Sequence, residues 1–541
     1  MPNNSRKVDR RSPFVVFRSA KDIFSRSEKR LSGRRGVVLL IVLLVVAMLA
    51  LGAYTFSDLM LTEQDAVDLH GDHLQARALT ESGIDAARIF LMESVDVQYE
   101  RGGVYDNPAY FRGRLVIDSE DERQRGRFAL LAPLVDEGEL GGIRYGLENE
   151  STRLNINALL LAEVQQENGG RQLLLGLPGM TEETADAILD WLDDDDEVRE
   201  FGAELDYYSG VDPPYAPRNG PPETVEELLL VRGVTPDLLF GRDINRNGMI
   251  DSHEQSAPVV VKTDVPGAMD RGWSAYLTLH SQERNASPSG QPRIYLNQDD
   301  MGQLHAELSS VFPREWANYI VAYRQNGPYS GNTTETAKAD SGDIDFSDEG
   351  RFTLTQVLDL VGSRTRVRFQ GDQQATVLEC PFPEELIAMG FYMPMLMDNA
   401  TVNSSPTIPG RININQAPRV VLQGIPGLDE EMINQIISLR TPEVELERPN
   451  RRHETWLLIE AVVTLDEMRG LMPFITGGGD VYRTQTVGYF DGGGASARAE
   501  VIIDATSPLP AVVSWRDISH LGRGYALETL GVELIEEQEE Q

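Results

Sequence analysis

In the segment DINRNGMIDSHE, Asp243, Asn245, Asn247, Met249, Asp251 and Glu254 stand at positions one, three, five, seven, nine and twelve, with Gly248 at six and Ile250 at eight. Oxygen-bearing side chains at alternate residues, a glycine at the sharp turn, one main-chain carbonyl and a closing bidentate glutamate form the shell of a calcium ion. TPDLLF before the loop reads as a helix and PVVV after it as a strand. A bound ion there is expected to be structural and to stiffen the helical part of the chain. A second acidic group, Asp193, Asp194, Asp195, Asp196, Glu197, Glu204 and Asp206, supplies hard oxygens at no fixed spacing. Within it Asp193, Asp194, Asp196, Glu204 and Asp206 are the candidate ligands.

Other chemistry is not apparent. The seven histidines, His70, His73, His253, His280, His305, His453 and His520, show no HExxH spacing, and neither a Gly-x-Ser-x-Gly elbow nor a Walker loop occurs. No catalytic residue is assigned and no enzyme is expected. His70 and His73 lie one turn apart on a helix and read as an exposed face. TGGGD lacks a strand-then-helix setting and reads as a turn. The formal net charge of −36 opposes phosphate backbones, so nucleic acid is not an expected partner. Cys380 is the single cysteine, which excludes an intrachain disulfide, and it reads as a small buried hydrophobe.

The elements that must position these groups begin at the N-terminus. Residues 1–36 carry eleven Lys or Arg against three acids. The uncharged run Val37–Phe56 follows, and at 1.5 Å per residue it covers about 30 Å, one bilayer core. By the positive-inside rule the basic head stays in the cytoplasm and the rest is exported. Past the run, Ala76, Leu79, Gly83, Ala86 and Phe90 recur at spacings of three and four, so residues 57–92 continue as an amphipathic stalk helix.

Further along, GRFALLAPLVDE and GGIRYGLENE read as strands. VYRTQTVGYF, the loop DGGGAS and the alternating run from Ala495 to Asp504 read as a hairpin. In its second strand Ala495, Ala497, Ala499, Val501 and Ile503 are expected inside, with Ser496, Arg498, Glu500, Ile502 and Asp504 towards water. Between these strand regions the pattern Arg-apolar-any-apolar-Asn occurs three times, at 153–157, 293–297 and 411–415. Each copy leads into a helical unit, ending in EETADAILDWL, REWANYIVAYR and DEEMINQIISLR. Duplicated modules are implied. LPGMTEETADAIL and IPGLDEEMINQII look like helix-hairpin-helix units, which elsewhere offer hairpin amides to a DNA phosphate. Here Glu182, Glu183, Asp429, Glu430 and Glu431 flank the hairpins and would repel one, which favours packing or protein docking.

A basic stretch ending in Arg34, Arg35 and Gly36, then a long apolar helix, resembles the type IV pilin and pseudopilin class. That resemblance implies cleavage by a prepilin peptidase between Gly36 and Val37, and methylation. Most members carry Glu at the fifth mature position, whereas this chain has Ile41, as in the K-type minor pseudopilins of type II secretion. RLNINALL, DWLDDDDE, GAELDYY and PPETVEELLLVRGV, in that order from Arg153 to Val234, are similar to segments of the same family, as is RININQAPRVVLQGIPG later.

The resemblance implies an α+β protein: a membrane and stalk helix, then a pilin-like antiparallel sheet with a large inserted helical domain carrying helix-hairpin-helix-like repeats. The expected borders are a leader at 1–36, the membrane part at 37–56, the stalk at 57–92 and the first part of the sheet domain at 93–152. Helical units at 153–292, 293–410 and 411–475 follow, and closing strands at 476–541. The family also implies calcium near Asp193 to Asp206. It implies partnership with I- and J-type minor pseudopilins and other pseudopilins, a place at the tip of the pseudopilus, and a single pass through the inner membrane with most of the chain periplasmic. A chain of this length with three repeats and loosely similar final strands departs from the family. An anchored helix-hairpin-helix DNA-binding competence protein and a minor pilin of a type IV pilus are the other readings.

Overall fold

The structure, a computed structural model, describes residues 35–136, 139–255, 267–332, 335–441 and 449–533. The basic head before Arg35 and the PVVV strand lie outside the described residues. The chain divides into two compact units, residues 1–69 and 70–541. One helix, α1, runs from Arg35 to Met92. In the first unit its side chains from Val37 to Leu69 are all exposed. Among the described residues α1 is the helix long and apolar enough to cross a membrane. So large an uncovered apolar surface calls for lipid or partner helices.

In the second unit the stripe expected on α1 faces the protein. Ala76, Leu79, Gly83 and Phe90 are buried and Ala86 half-buried, with Ile84 and Ala87 beside them. They cover an antiparallel sheet of seven strands: β1 (Arg114–Ile117), β2 (Gly126–Asp136), β3 (Glu139–Arg144), β4 (Glu148–Asn149), β5 (Val481–Phe490), β6 (Ser496–Asp504) and β7 (Ala511–Asp517). The order is β1-β2-β5-β6-β7, with β3 on β2 and β4 on β5. Strands from before residue 150 and after residue 480 therefore share one sheet. Helix and sheet approach closely at Gly488, where an added Cβ would fall 2.2 Å from the Ala76 carbonyl and 2.6 Å from the Thr80 amide nitrogen. Only glycine fits that contact. Thr80 Oγ1 donates to the Ala497 carbonyl at 3.1 Å and Thr486 Oγ1 to the Thr80 carbonyl at 3.2 Å.

The expected strands and the hairpin form, but β6 is not half-buried. Arg498 and Ile502, expected in water, are 1% and 5% exposed. The reason is a second cover. Tyr525 and Leu530 of the tail, with Met249 of the DINRNG segment packed alongside, close over Ala129, Leu131, Val487 and Tyr489 on the sheet face opposite α1. Polar side chains on that face are retained as ion pairs: Arg483 meets Glu150 at 2.5 Å and Glu500 at 3.2 Å. Ion pairing holds the wholly buried Glu150 carboxyl down at about 2 against the effect of burial, with Arg483 the main partner.

Residues 154 to 475 build a separate apolar core. Each Arg-apolar-any-apolar-Asn segment contributes a two-residue strand with a parallel partner: Leu154–Asn155 with Leu277–Thr278, Ile294–Tyr295 with Ala400–Thr401, and Ile412–Asn413 with Ile475–Thr476. Every partner ends in threonine. Thr278, Thr401 and Thr476 each accept the backbone N–H two residues on, at 3.1, 3.1 and 3.3 Å. EETADAILDWL forms the helix Glu182–Leu192, REWANYIVAYR lies in Arg314–Asn326, and DEEMINQIISLR gives Glu430–Leu439. Thr181 and Asp429 cap the first and third through their side chains. Cys380 is half-buried, not buried, and its thiol contacts the Leu360 and Phe382 carbonyls at 3.4 Å.

Candidate metal sites

The DINRNG loop follows the helix Pro236–Phe240, which Thr235 caps. Gly248 turns at φ 80°, the left-handed region the spacing demanded of position six. Glu254 is fully buried at the loop's centre. Its Oε1 accepts from the amides of Ile244 at 2.9 Å and Asn245 at 3.1 Å, and its Oε2 from Asp251 at 3.0 Å. Asp243 accepts from the amides of Asn247 at 3.1 Å and Gly248 at 2.9 Å. Asp251 Oδ2 receives the side-chain amides of Asn245 at 2.6 Å and Asn247 at 3.1 Å. Met249 gives its amide to Asn247 Oδ1 at 2.8 Å. These bonds tie Asp243, Asn245, Asn247, Asp251 and Glu254 to one another within the loop. Burial pushes the Asp243 carboxyl up, with Arg271, 3.9 Å away, pulling the other way. His253 joins Asp251 and Glu254 in a group of close ligand atoms, but it is exposed.

The second acidic group is built differently. Asp190, inside the helix Glu182–Leu192, is fully buried, and Glu204 is 3% exposed. Both Glu204 oxygens, Asp193 Oδ1 and Asn219 Oδ1 are buried without a hydrogen-bond partner. Asn219 is turned there by its own amide, which donates to the Asp195 carbonyl at 3.0 Å and Asp196 Oδ1 at 3.2 Å. Arg199 answers part of the charge, bonding Asp190 at 3.2 Å and Asp193 at 2.5 Å. The remainder stays unanswered. Burial first, then Asp190, Asp193, Asp196 and Asp195, pushes the Glu204 carboxyl up to about 7. Unpartnered buried oxygens of this kind fit a hard cation. Asp194, Asp196 and Asp206 are exposed; Asp196 reaches the buried set through its bond from Asn219, while Asp194 and Asp206 stand outside it.

Sequence reasoning missed Asp190 and Asn219. Asp190 reads as the polar side of a helix, and Asn219 lies in a Pro-rich loop with only its left-handed backbone, φ 49°, to mark it. At the hairpins Glu182, Glu183, Asp429, Glu430 and Glu431 are all exposed. Arg419, the cation beside the second hairpin, pairs with Glu430 at 3.1 Å. Gly36, Val37 and Ile41 all lie in α1, and the Val37 and Ile41 side chains are exposed.

The described residues thus offer one helix long and apolar enough to cross a membrane, a head built on an antiparallel sheet, and two carboxylate-lined regions. Residues 152–240 match the family described as type II secretion system (T2SS), protein K. Over that segment the chain is similar to protein K of type II secretion systems. It also aligns over 84% of its length with 99% of a chain in the GspK-GspI-GspJ complex from the enterotoxigenic Escherichia coli Type 2 Secretion System, at 11% identity and a TM-score of 0.36. No curated protein matches the chain.

Proposed function

We propose that this minor pseudopilin sits at the tip of a type II secretion pseudopilus and there supports protein export across the outer membrane. The match over residues 152–240 to protein K carries the reading. Ile41 in place of an acid at the fifth mature position supports it, since the K-type family departs from the other pseudopilins in the same way. The anchor crosses the inner membrane once with the leader in the cytoplasm and the remainder in the periplasm. Prepilin peptidase cuts between Gly36 and Val37. Residues 153–475 form a helical domain inserted into the pilin-like sheet, with its hairpins used for packing. The I- and J-type minor pseudopilins are its neighbours at the tip.

Calcium fits both acidic regions. Asp243, Asn245, Asn247, the Met249 carbonyl, Asp251 and Glu254 would hold one ion, and Asp190, Asp193, Asp196, Glu204 and Asn219 a second. When bound, it supplies the positive charge that these buried carboxylates lack. The chain's own residues fix the oxygens in place: Gly248 by its turn, Arg199 and Asn219 by their hydrogen bonds. Intact mass and N-terminal sequencing of the chain from cells that express prepilin peptidase test the class. A mature terminus at Val37 is expected, and retention of Met1 to Gly36 would overturn it.

A further inference from the structure

The calcium loop has an outer side as ordered as its inner one. Its amides at Ile244, Asn245, Asn247, Gly248 and Asp251 all point inward to Asp243 and Glu254. That leaves three successive carbonyls, those of Asn245, Arg246 and Asn247, facing out. Each is taken by a side chain of the sheet or the tail. Arg498 on β6 donates to the Asn245 carbonyl, and Gln485 on β5 to the Arg246 carbonyl at 2.7 Å. The Tyr525 hydroxyl is shared between the Asn247 carbonyl at 3.0 Å and Gln485 Oε1 at 2.8 Å. Asn247 returns a bond from its side-chain amide to the Gly524 carbonyl at 2.8 Å. Met249 packs against the Tyr525 and Leu530 cluster.

Arg498 shows how much hangs on this contact. It is 1% exposed, and its Nε and one terminal nitrogen have no partner, so the Asn245 carbonyl takes its one side-chain hydrogen bond among the described residues. A buried cation held by one loop carbonyl and the ring of Tyr525, 5.9 Å away, is strongly destabilised if that loop moves.

We propose that the loop Asp243–Glu254 is a calcium-set latch that fastens the closing strands β5 and β6 and the tail to the helical segment. The inference rests on the calcium reading of this loop. Inner oxygens and outer carbonyls are two sides of one backbone, so an ion that fixes the first fixes the second. Without it only the internal hydrogen bonds hold the outward row, and amides exchange these readily with water. By linkage, docking of the sheet must in turn tighten calcium.

The test uses the full chain in detergent micelles, stripped with chelator and then titrated with calcium chloride. Hydrogen exchange of residues 496–504 and 518–530 is expected to slow by about tenfold with calcium, the size of a typical coupling. That slowing should vanish in Glu254→Gln. Calorimetry of Gln485→Ala and Arg498→Met should show calcium affinity of the loop weakened by about fivefold or more. Gln485→Ala removes a single amide donor, so it serves if Arg498→Met does not fold. If Glu254→Gln leaves calcium binding unchanged, the loop is not a calcium site and the latch falls with it. If Glu254→Gln removes one bound ion while exchange at 518–530 is indifferent to calcium, or Gln485→Ala leaves affinity intact, the loop binds calcium and the latch alone is wrong.

Discussion

In the loop 243–254, Glu254 accepts three backbone amides and Asp243 two. In the cluster around Asp190, by contrast, Glu204 accepts none and both its oxygens are buried. The loop's regular spacing puts backbone amides opposite both carboxylates, so hydrogen bonds draw it together and an ion would lock it. The cluster draws its oxygens from a helix, the stretch after it and a distant loop; Asp190 receives the Arg199 amide at 3.4 Å, but none reaches Glu204. Regular spacing therefore yields a site whose charges are partly answered before metal arrives, while the irregular cluster is frustrated until one does. The two regions should respond to the same perturbations with different signs.

The largest expected effect is that of calcium on both together. At a hundredfold excess over its dissociation constant, a single bound ion stabilises by about 2.7 kcal/mol. Chelation should lower the thermal midpoint of the full chain in micelles, and re-added calcium should restore it. Next comes Glu254→Gln in chelator. An amide nitrogen cannot accept, so the change strands at least one buried backbone N–H and costs about 2 kcal/mol by denaturant titration.

Acid should act on the other region in the opposite sense. The Glu204 carboxyl, ordinarily near 4.5, is raised to about 7 in the folded chain. With the folded value the higher, the unfolded state ionises first. In chelator, stability is therefore greatest below about 4.5, falls as pH rises to about 7 and is level above it, a loss on the order of 2 kcal/mol from this group. Calcium should flatten that slope. The smallest effect is Glu204→Gln, which removes the unanswered charge. It should stabilise the chelated protein by about 1 kcal/mol yet weaken calcium binding, a reversal of sign that Glu254→Gln does not show. Equal behaviour of the two glutamates would erase the distinction between the regions.

What could be read in advance follows the same division. The stripe from Ala76 to Phe90, the hairpin closed by DGGGAS and the turn at Gly248 depend on residues near one another in sequence, and periodicity exposes them. β6 does not yield to that logic. Arg498 and Glu500 alternate with small apolar residues as a water-facing row should, but the tail and the DINRNG loop cover them. Arg498 meets a carbonyl 253 residues away and Arg483 a carboxylate 333 residues away. Partners that distant leave no local trace, and neither does the pairing of Asn219 with Asp195 and Asp196. The three Arg-apolar-any-apolar-Asn segments stand between these cases. Their repetition is plain in the sequence, whereas the parallel partners ending in Thr278, Thr401 and Thr476 emerge only in the fold.

The proposed role at the tip is tested most directly by co-expressing the full chain with the I- and J-type pseudopilins from the same genome and weighing the purified complex by native mass spectrometry. One copy of each in a single three-part assembly is the predicted result. Recovery of an I–J pair from which this chain is missing would contradict it.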